Sequence, residues 1–405
     1  MKEKALLLYS GGLDTSVMIK WLQEERGYDV VTLTLDVGQE KNDLAAISQK
    51  AKLLGAIKSI THDSTARFAD TFISMGIMSN GLYSDKYPLS TSLARPLMAE
   101  LAVKYAHENA CGVIVHGSTG KGNDQVRFEV SIKALDDSIK VVAPVREMNM
   151  NREEEIEYAI KKGIDIPYGG KYSVDENLWG RSVEGSSIED ISKAVPADAY
   201  RWVKPLDETT DSPKEVAISY ENGVPCALNG KKMPLKPLII KLNELAGMHG
   251  IGAIDMIEDR VVGIKSHEFY ECPAALTIID GHKYLESAVL SRRELKVKKF
   301  IDEQFSEMVY GGLWHDPLMG HICEFEQSMN EHVSGTVHQK LYKGNIIHSG
   351  VESVNSLYDP ATSTYGKGQT FDQKMSPGFI YVYGASTVAS RKARNKQFRE
   401  IRLEE

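Results

Sequence analysis

The residues best equipped for chemistry appear almost at once, in Tyr9-Ser10-Gly11-Gly12-Leu13-Asp14-Thr15-Ser16. Two adjacent glycines let a chain turn sharply and bring bare backbone N–H groups against a ligand. Ser10, Thr15 and Ser16 add hydroxyl donors. The stretch lies between an apolar run ending at Leu8 and an amphipathic segment, so a helix N-terminus follows it, with unpaired N–H groups and the positive end of its dipole. This combination suits an oxyanion, most economically a pyrophosphate. Asp14 is placed either to cap the helix or to help hold a magnesium ion carried by the phosphates. The loop is not of the kinase type: no GxxxxGK[ST] is present, and Gly120-Lys121 lacks the following Ser or Thr.

A second chemically dense segment runs from His116 to Glu129 (HGSTGKGNDQVRFE). Gly117, Gly120 and Gly122 leave backbone amides accessible, while Thr119, Asn123, Asp124 and Arg127 supply donors, acceptors and one permanent positive charge. Amino-acid substrates carry an ammonium and a carboxylate and need that mixture. Elsewhere metal chemistry finds little support. Cys111, Cys226, Cys272 and Cys323 form no CxxC pair, and His62, His282 and His338 show no ligand spacing.

These segments need a scaffold. Ala5 to Leu8, Val30 to Leu35, Ile57 to Ile60, Val113 to His116 and Val141 to Val145 read as strands. Between them, Ser16 to Glu25 reads as a helix with Val17, Trp21 and Leu22 inward. A second helix carries Leu44, Ile47, Ala51 and Leu54 and ends at Gly55. Leu93, Leu97, Leu101 and Tyr105 stripe a third, with Pro96 in its first turn. Alternating strands and helices predict an α/β fold: a parallel sheet with helices on both faces and ligands at the carboxyl ends of its strands. Around Gly169-Gly170 the character changes to hairpins, at Val216–Tyr220/Val224–Leu228 and Thr336–Tyr342/Ile346–Val351. Ser291 and Glu294 form a capping box for a helix to about Met308. The expected organisation is a nucleotide-binding domain at 1–168, an α+β synthetase domain at 169–365 and an oligomerisation tail at 366–405. The tail's Phe379-Ile380-Tyr381-Val382-Tyr383 and the basic segment Ser390 to Arg399 are read as packing on a neighbouring subunit, with a disordered basic tail as the alternative.

Composition excludes several classes. The 405 residues are 42% hydrophobic and 26% charged, the balance of a water-soluble globular chain large enough for two cores. A net charge of −8 argues against a general nucleic-acid binder. No secretory signal or membrane span is visible, and the cysteines suit a reducing compartment, so a cytoplasmic location is expected.

The SGGxDTS loop resembles the PP-loop (N-type ATP pyrophosphatase) superfamily, whose members cleave ATP between the α- and β-phosphates and transfer AMP to a substrate oxygen. Together with the His116–Glu129 segment, the blocks Tyr83–Pro96, Met150–Ile166, Tyr172–Ser182, Gly250–Pro273 and Leu341–Asn345 closely resemble the argininosuccinate synthase family. That resemblance implies an adenine nucleotide α-hydrolase-like fold and ligation of L-citrulline to L-aspartate, a step of arginine biosynthesis, through citrullyl-AMP. ATP is the co-substrate, with Mg2+ carried by its phosphates, and the assembly is a homotetramer. By the same resemblance Leu8 to Ser16 (Leu8, Tyr9, Ser10, Gly11, Gly12, Leu13, Asp14, Thr15, Ser16) with Leu35 and Gly117 hold ATP. Thr119, Asn123 and Asp124 hold aspartate. Tyr87, Ser92, Asn123, Arg127, Ser173, Ser182, Glu258 and Tyr270 hold citrulline. Ser10, Asp14 and Asp124 are the candidate catalytic residues, Asp124 competing with the nucleotide's own phosphate as general base. Leu8 and Leu35 stand where the family commonly has smaller residues, and His267-Glu268-Phe269 replaces a more basic turn. Another PP-loop ligase and an inactive nucleotide-binding relative remain as alternative readings.

Overall fold

Alternate side chains of the opening strand, β1 (Lys4–Leu8), enter two different cores. Leu6 and Leu8 pack with Leu33, Leu35, Ile114 and the Leu93, Leu97 and Leu101 stripe, whereas Ala5 and Leu7 pack with Val17, Leu22, Val30 and Val113. Burial on both faces explains why the strand is a continuous apolar run. The computed structural model describes residues 2–40, 43–148, 152–164, 170–366 and 370–394.

β1 lies at the centre of a five-stranded parallel sheet with β2 (Asp29–Asp36), β3 (Lys58–Asp63), β4 (Val113–Val115) and β5 (Lys140–Val142), in the order β3-β2-β1-β4-β5. The expected architecture is therefore present. The chain steps outward from β1 to β3, then returns to β4 on β1's other side. Such a reversal opens a crevice at the strands' carboxyl ends. It also places the loops after β1 and β4, the two chemically dense segments, side by side.

Some boundaries differ from expectation. The first helix begins at Leu13 rather than Ser16, directly on the glycine turn. The third begins at Ser90, so Pro96 sits in its second turn and not its first. The burial of Leu93, Leu97 and Leu101 outweighs the missing Pro96 N–H. β5 stops at Val142, because Pro144 cannot donate to a ladder and opens a short helix, Pro144–Met148, that takes in Val145.

Two antiparallel sheets follow. One is a four-stranded sheet of β6 (Ser173–Asn177), β7 (Gly180–Glu184), β11 (Ala253–Asp259) and β12 (Lys265–Glu271), in the order β11-β12-β7-β6. The other contains β8 (Lys214–Glu221), β9 (Val224–Leu228), β10 (Lys231–Lys232), β13 (Gly335–Tyr342) and β14 (Asn345–Glu352), in the order β10-β9-β8-β13-β14. Both anticipated hairpins are in it. Asn222 and Gly223 close one at φ 49° and 79°, and Lys343 and Gly344 close the other at 45° and 77°. Positive φ at both central residues matches the right-handed twist of the strands. The Ser291–Glu294 capping box is formed, and its helix runs Arg292–Tyr310.

Met1–Asn355 form one compact unit and Ser356–Glu405 a second. The second carries the helix Ser376–Arg394, on which Phe379, Ile380, Tyr381, Val382 and Tyr383 are exposed. The expected junction at 168/169, part of the Met150–Ile166 block and Asn395 to Arg399 of the basic segment lie outside the described residues.

Candidate active site

A cavity of about 1100 Å³ opens at the carboxyl edge of the parallel sheet, where the loops after β1 and β4 face the four-stranded sheet. Leu8, Tyr9, Ser10, Gly12, Leu13, Asp14 and Thr15 line one end. Gly11 takes φ +82°, and a Cβ there would lie 3.0 Å from Ile47 Cγ1, so only glycine makes this turn without strain. Gly12 is the N-cap, which leaves Asp14 inside the first helical turn and not at the cap. Ser10 Oγ accepts the Gly12 N–H at 3.3 Å and lies 3.2 Å from Thr15 Oγ1. Ser16 is buried away from the cavity, donating to the Gly12 carbonyl at 2.7 Å, and Gly11 shapes the turn from behind. Lys50, unmarked by any sequence motif, donates to the Gly11 carbonyl at 3.1 Å.

Leu8, Leu33, Leu35, Val37 and Leu44 give this end an apolar wall suited to a purine. The backbone edge expected to meet adenine is already hydrogen-bonded. Gln39 Nε2 donates to the Leu35 carbonyl at 2.9 Å, and its Oε1 accepts the Val37 N–H at 2.8 Å. A carboxamide carries the same adjacent donor and acceptor as the N6/N1 edge of adenine.

Beyond the Tyr9–Ser16 turn, Gly117, Thr119, Asn123, Asp124 and Arg127 all line the cavity. Asp124 opens the helix Asp124–Leu135, and Arg127 follows one turn later on the same face. Arg127 Nη1 donates to Asp124 Oδ1 at 2.9 Å, and Arg95 holds the other oxygen. Burial alone would raise the Asp124 pKa, but the two guanidiniums outweigh it and hold the carboxyl well below the usual carboxylate range. Arg95 also pairs with Asp175 of β6. The sequence reading missed Arg95. A signal existed: Thr91, Arg95 and Met98 follow i, i+4, i+7 spacing and share the helix face that lines the cavity. Ser92 lies off that face and is buried, its hydroxyl without a hydrogen-bond partner among the described residues.

The floor is one face of the four-stranded sheet. Glu258 on β11 opposes Ser266 and Met256 opposes Glu268. Tyr270 on β12 pairs with Ser182 on β7, which pairs with Asp175, while Glu184 pairs with Ser173. Strand alternation therefore puts Ser173, Asp175, Ser182, Glu184, Glu258, Glu268 and Tyr270 on a single surface, and all line the cavity. Glu258 is fixed by two phenols: Tyr270 Oη donates to Oε2 at 2.8 Å and Tyr310 Oη to Oε1 at 2.9 Å. Tyr87 stacks on Tyr270 with ring centroids 4.0 Å apart, and burial pushes its phenol up to about 12. Arg260, also unanticipated, bridges Glu184 and Glu268 at 2.5 Å each and donates to the Lys121 carbonyl at 3.1 Å, tying the glycine loop to the floor. Burial and the charge of Glu184 push Glu268 up to about 8 against the pull of Arg260.

Among the described residues no group of three or more His, Cys, Asp and Glu side chains is arranged to hold a metal ion, and no helix is long and apolar enough to cross a membrane. The cysteines are unpaired.

Comparison with known proteins bears directly on this cavity. Residues 4–165 match the family model of the arginosuccinate synthase N-terminal HUP domain, and residues 172–390 match that of the arginosuccinate synthase C-terminal domain. The chain is 56% identical over 392 residues to argininosuccinate synthase of Picrophilus torridus, covering 97% of this chain and 98% of that protein. It is 52% identical over 399 residues to the Thermoplasma acidophilum enzyme and 46% identical over 398 residues to that of Bacillus subtilis, with 98% of each chain covered in both cases. Similarity that runs through both glycine loops and the sheet opposite them means that the chain belongs to the argininosuccinate synthase family.

Proposed function

We propose that the cavity joins L-citrulline to L-aspartate at the expense of ATP, giving argininosuccinate, AMP and pyrophosphate through a citrullyl-AMP intermediate. The observation that carries the reading is the meeting of the phosphate-type turn at Ser10–Thr15 with a floor that presents Glu258, Ser173, Ser182 and Tyr270 across the same cavity. A single enclosure then holds a triphosphate and two amino acids.

In this reading the helix N-terminus at Leu13 and the hydroxyls of Ser10 and Thr15 take the β- and γ-phosphates. The citrulline ureido oxygen attacks the α-phosphorus and pyrophosphate departs. The aspartate amine then attacks the activated ureido carbon and expels AMP. Adenylylation supplies a leaving group to a weakly electrophilic carbon, and co-binding supplies proximity. Arg127 pairs with the citrulline carboxylate. Thr119, Asn123 and Asp124 receive aspartate, and Asn123 also meets citrulline. The doubly paired Asp124 is a weak proton acceptor at neutral pH, so it serves as an acceptor for the aspartate ammonium and not as the base. Mg2+, when carried in on the phosphates, neutralises their charge. The chain fits such a metal because Asp14 adjoins the phosphate turn and a phosphate-borne magnesium needs few protein ligands.

The division at 168/169, the tail at 366–405, the homotetramer and a cytoplasmic location belong to the same proposal. The exposed apolar side chains of Ser376–Arg394 support a tail that packs on another subunit. Citrulline labelled with heavy oxygen at the ureido position tests the chemistry. Label should appear in AMP, and argininosuccinate should form only with aspartate present. ADP and inorganic phosphate as products would overturn it.

A further inference from the structure

Tyr310 ends the helix Arg292–Tyr310, is buried, and does not line the cavity, yet it touches three residues that do. Asn123 donates from Nδ2 to the Tyr310 hydroxyl at 2.8 Å. The direction of that bond is fixed, because Asn123 Oδ1 accepts the Val261 N–H at 2.8 Å. The phenol proton goes to Glu258 Oε1 at 2.9 Å, with the Asp259 carbonyl a longer second acceptor at 3.2 Å. Burial and the Glu258 charge both push the phenol's pKa up, so that proton stays in place. Arg127 donates from Nε to the Tyr310 carbonyl at 2.9 Å, and its guanidinium lies 4.9 Å from the ring centroid. Tyr83 stacks on the Tyr310 ring at 3.6 Å between centroids, nearly parallel at 2°.

We propose that Tyr310 is the positioning residue for the citrulline end of the cavity, setting the Asn123 amide, the Glu258 carboxylate and the Arg127 guanidinium in one mutual geometry. The proposal rests on the assignment of Glu258 and Arg127 to citrulline. A chain of donors running from Asn123 through Tyr310 to Glu258 is directional and self-reinforcing. It orients the Glu258 carboxylate before substrate arrives, leaving lone pairs on both oxygens for a ureido N–H. It also joins the glycine loop after β4 to the sheet opposite, alongside the Arg260–Lys121 and Val261–Asn123 bonds, so this hydroxyl helps to set the spacing of the two walls of the site.

Tyr310→Phe removes only the hydroxyl and keeps the stack, the carbonyl and the cation–ring contact. KM for citrulline should rise about 10-fold, the scale of one hydrogen bond to a charged group. KM for ATP and kcat should stay within about 3-fold, and the Y310F/E258Q double variant should be little worse than E258Q alone, as expected for two residues acting through one bond. A Y310F enzyme with unchanged citrulline KM, or with all KM values raised alike, overturns the proposal. A silent E258Q would instead overturn the citrulline assignment beneath it. Should Y310F fail to fold, Glu258→Asp withdraws the carboxylate from an intact tyrosine. It should give the same citrulline-selective rise, and an unchanged citrulline KM there overturns the proposal too.

Discussion

Arg95 donates to a single oxygen of Asp124 twice, from Nε at 3.0 Å and from Nη2 at 2.7 Å. The pair joins the helix Ser90–Glu108 to the first turn of Asp124–Leu135, and Arg127 occupies the other carboxylate oxygen. The carboxylate is therefore oriented before any ligand binds. The acceptor site left on Oδ1 is free of these two arginines and can receive an ammonium.

Asp124→Asn should impair the step that uses aspartate by about 10- to 100-fold, the scale of one or two hydrogen bonds to charged groups. Transfer of ureido oxygen to AMP, which needs only citrulline and ATP, should fall much less. The two half-reactions can be followed separately with labelled citrulline, and equal losses would sink the assignment. The sign of the pH effect follows from the depressed pKa. The ion pairs contribute fully above the ordinary carboxylate range and are lost only as pH falls through the lowered value. The acid limb of the aspartate step should therefore not report Asp124 above its ordinary pKa of 3.8.

The two loop glycines should differ in sensitivity. Gly11 has φ +82°, and an added Cβ would crowd Ile47; Gly12 has φ −70°, and its Cβ would meet only Ser10 Oγ at 3.3 Å. Gly11→Ala should cost about 1–2 kcal/mol more stability than Gly12→Ala. Urea unfolding of the two variants side by side measures this, and equal midpoints would contradict the strained-turn account.

Glu268 offers a pH signature. Its folded-state pKa is raised to about 8 from the ordinary 4.5, so the folded protein holds a proton that the unfolded chain releases. Its effect on stability is absent below the ordinary value and grows unfavourable as pH rises toward the raised one. Glu268→Gln should thus gain melting temperature relative to the parent as pH increases from about 5 to 8. A pH-independent difference would show that Arg260 keeps the carboxylate ionised throughout.

Lys298 sits on the helix that delivers Tyr310 and is buried among acids. Its Nζ lies 2.6 Å from Asp302, 2.9 Å from Glu326 and 3.0 Å from Glu286, and it donates to the Met78 carbonyl at 2.7 Å. Lys298→Met leaves those carboxylates without their cation and should cost about 3–5 kcal/mol. Calorimetry should show a fall in melting temperature of roughly 10 °C. The deficit should shrink in acid, as protonation neutralises the carboxylates. A deficit independent of pH would argue that the three acids are already protonated.

The sequence by itself determined what lies close along the chain. The Tyr9–Ser16 turn, the apolar run of β1 and the helix after it are local, and glycine, hydroxyl and dipole chemistry make them readable within eight residues. Turn residues likewise marked the β8/β9 and β13/β14 hairpins, and the Ser291–Glu294 pair marked its helix. Tertiary structure alone decided which of these meet. The return of the chain from β3 to β4 set the two glycine loops side by side. Register among β6, β7, β11 and β12 put Ser173, Ser182, Glu258 and Tyr270 on one face, although those strands are largely polar and carried no clear periodic signal. Arg95, Arg260, Gln39 and Tyr310 acquire their roles only through partners distant in sequence or through backbone geometry. The identity of a side chain is written in the sequence; the distance from Tyr310 to Glu258, 52 residues away, is set only when the sheet and the helix pack.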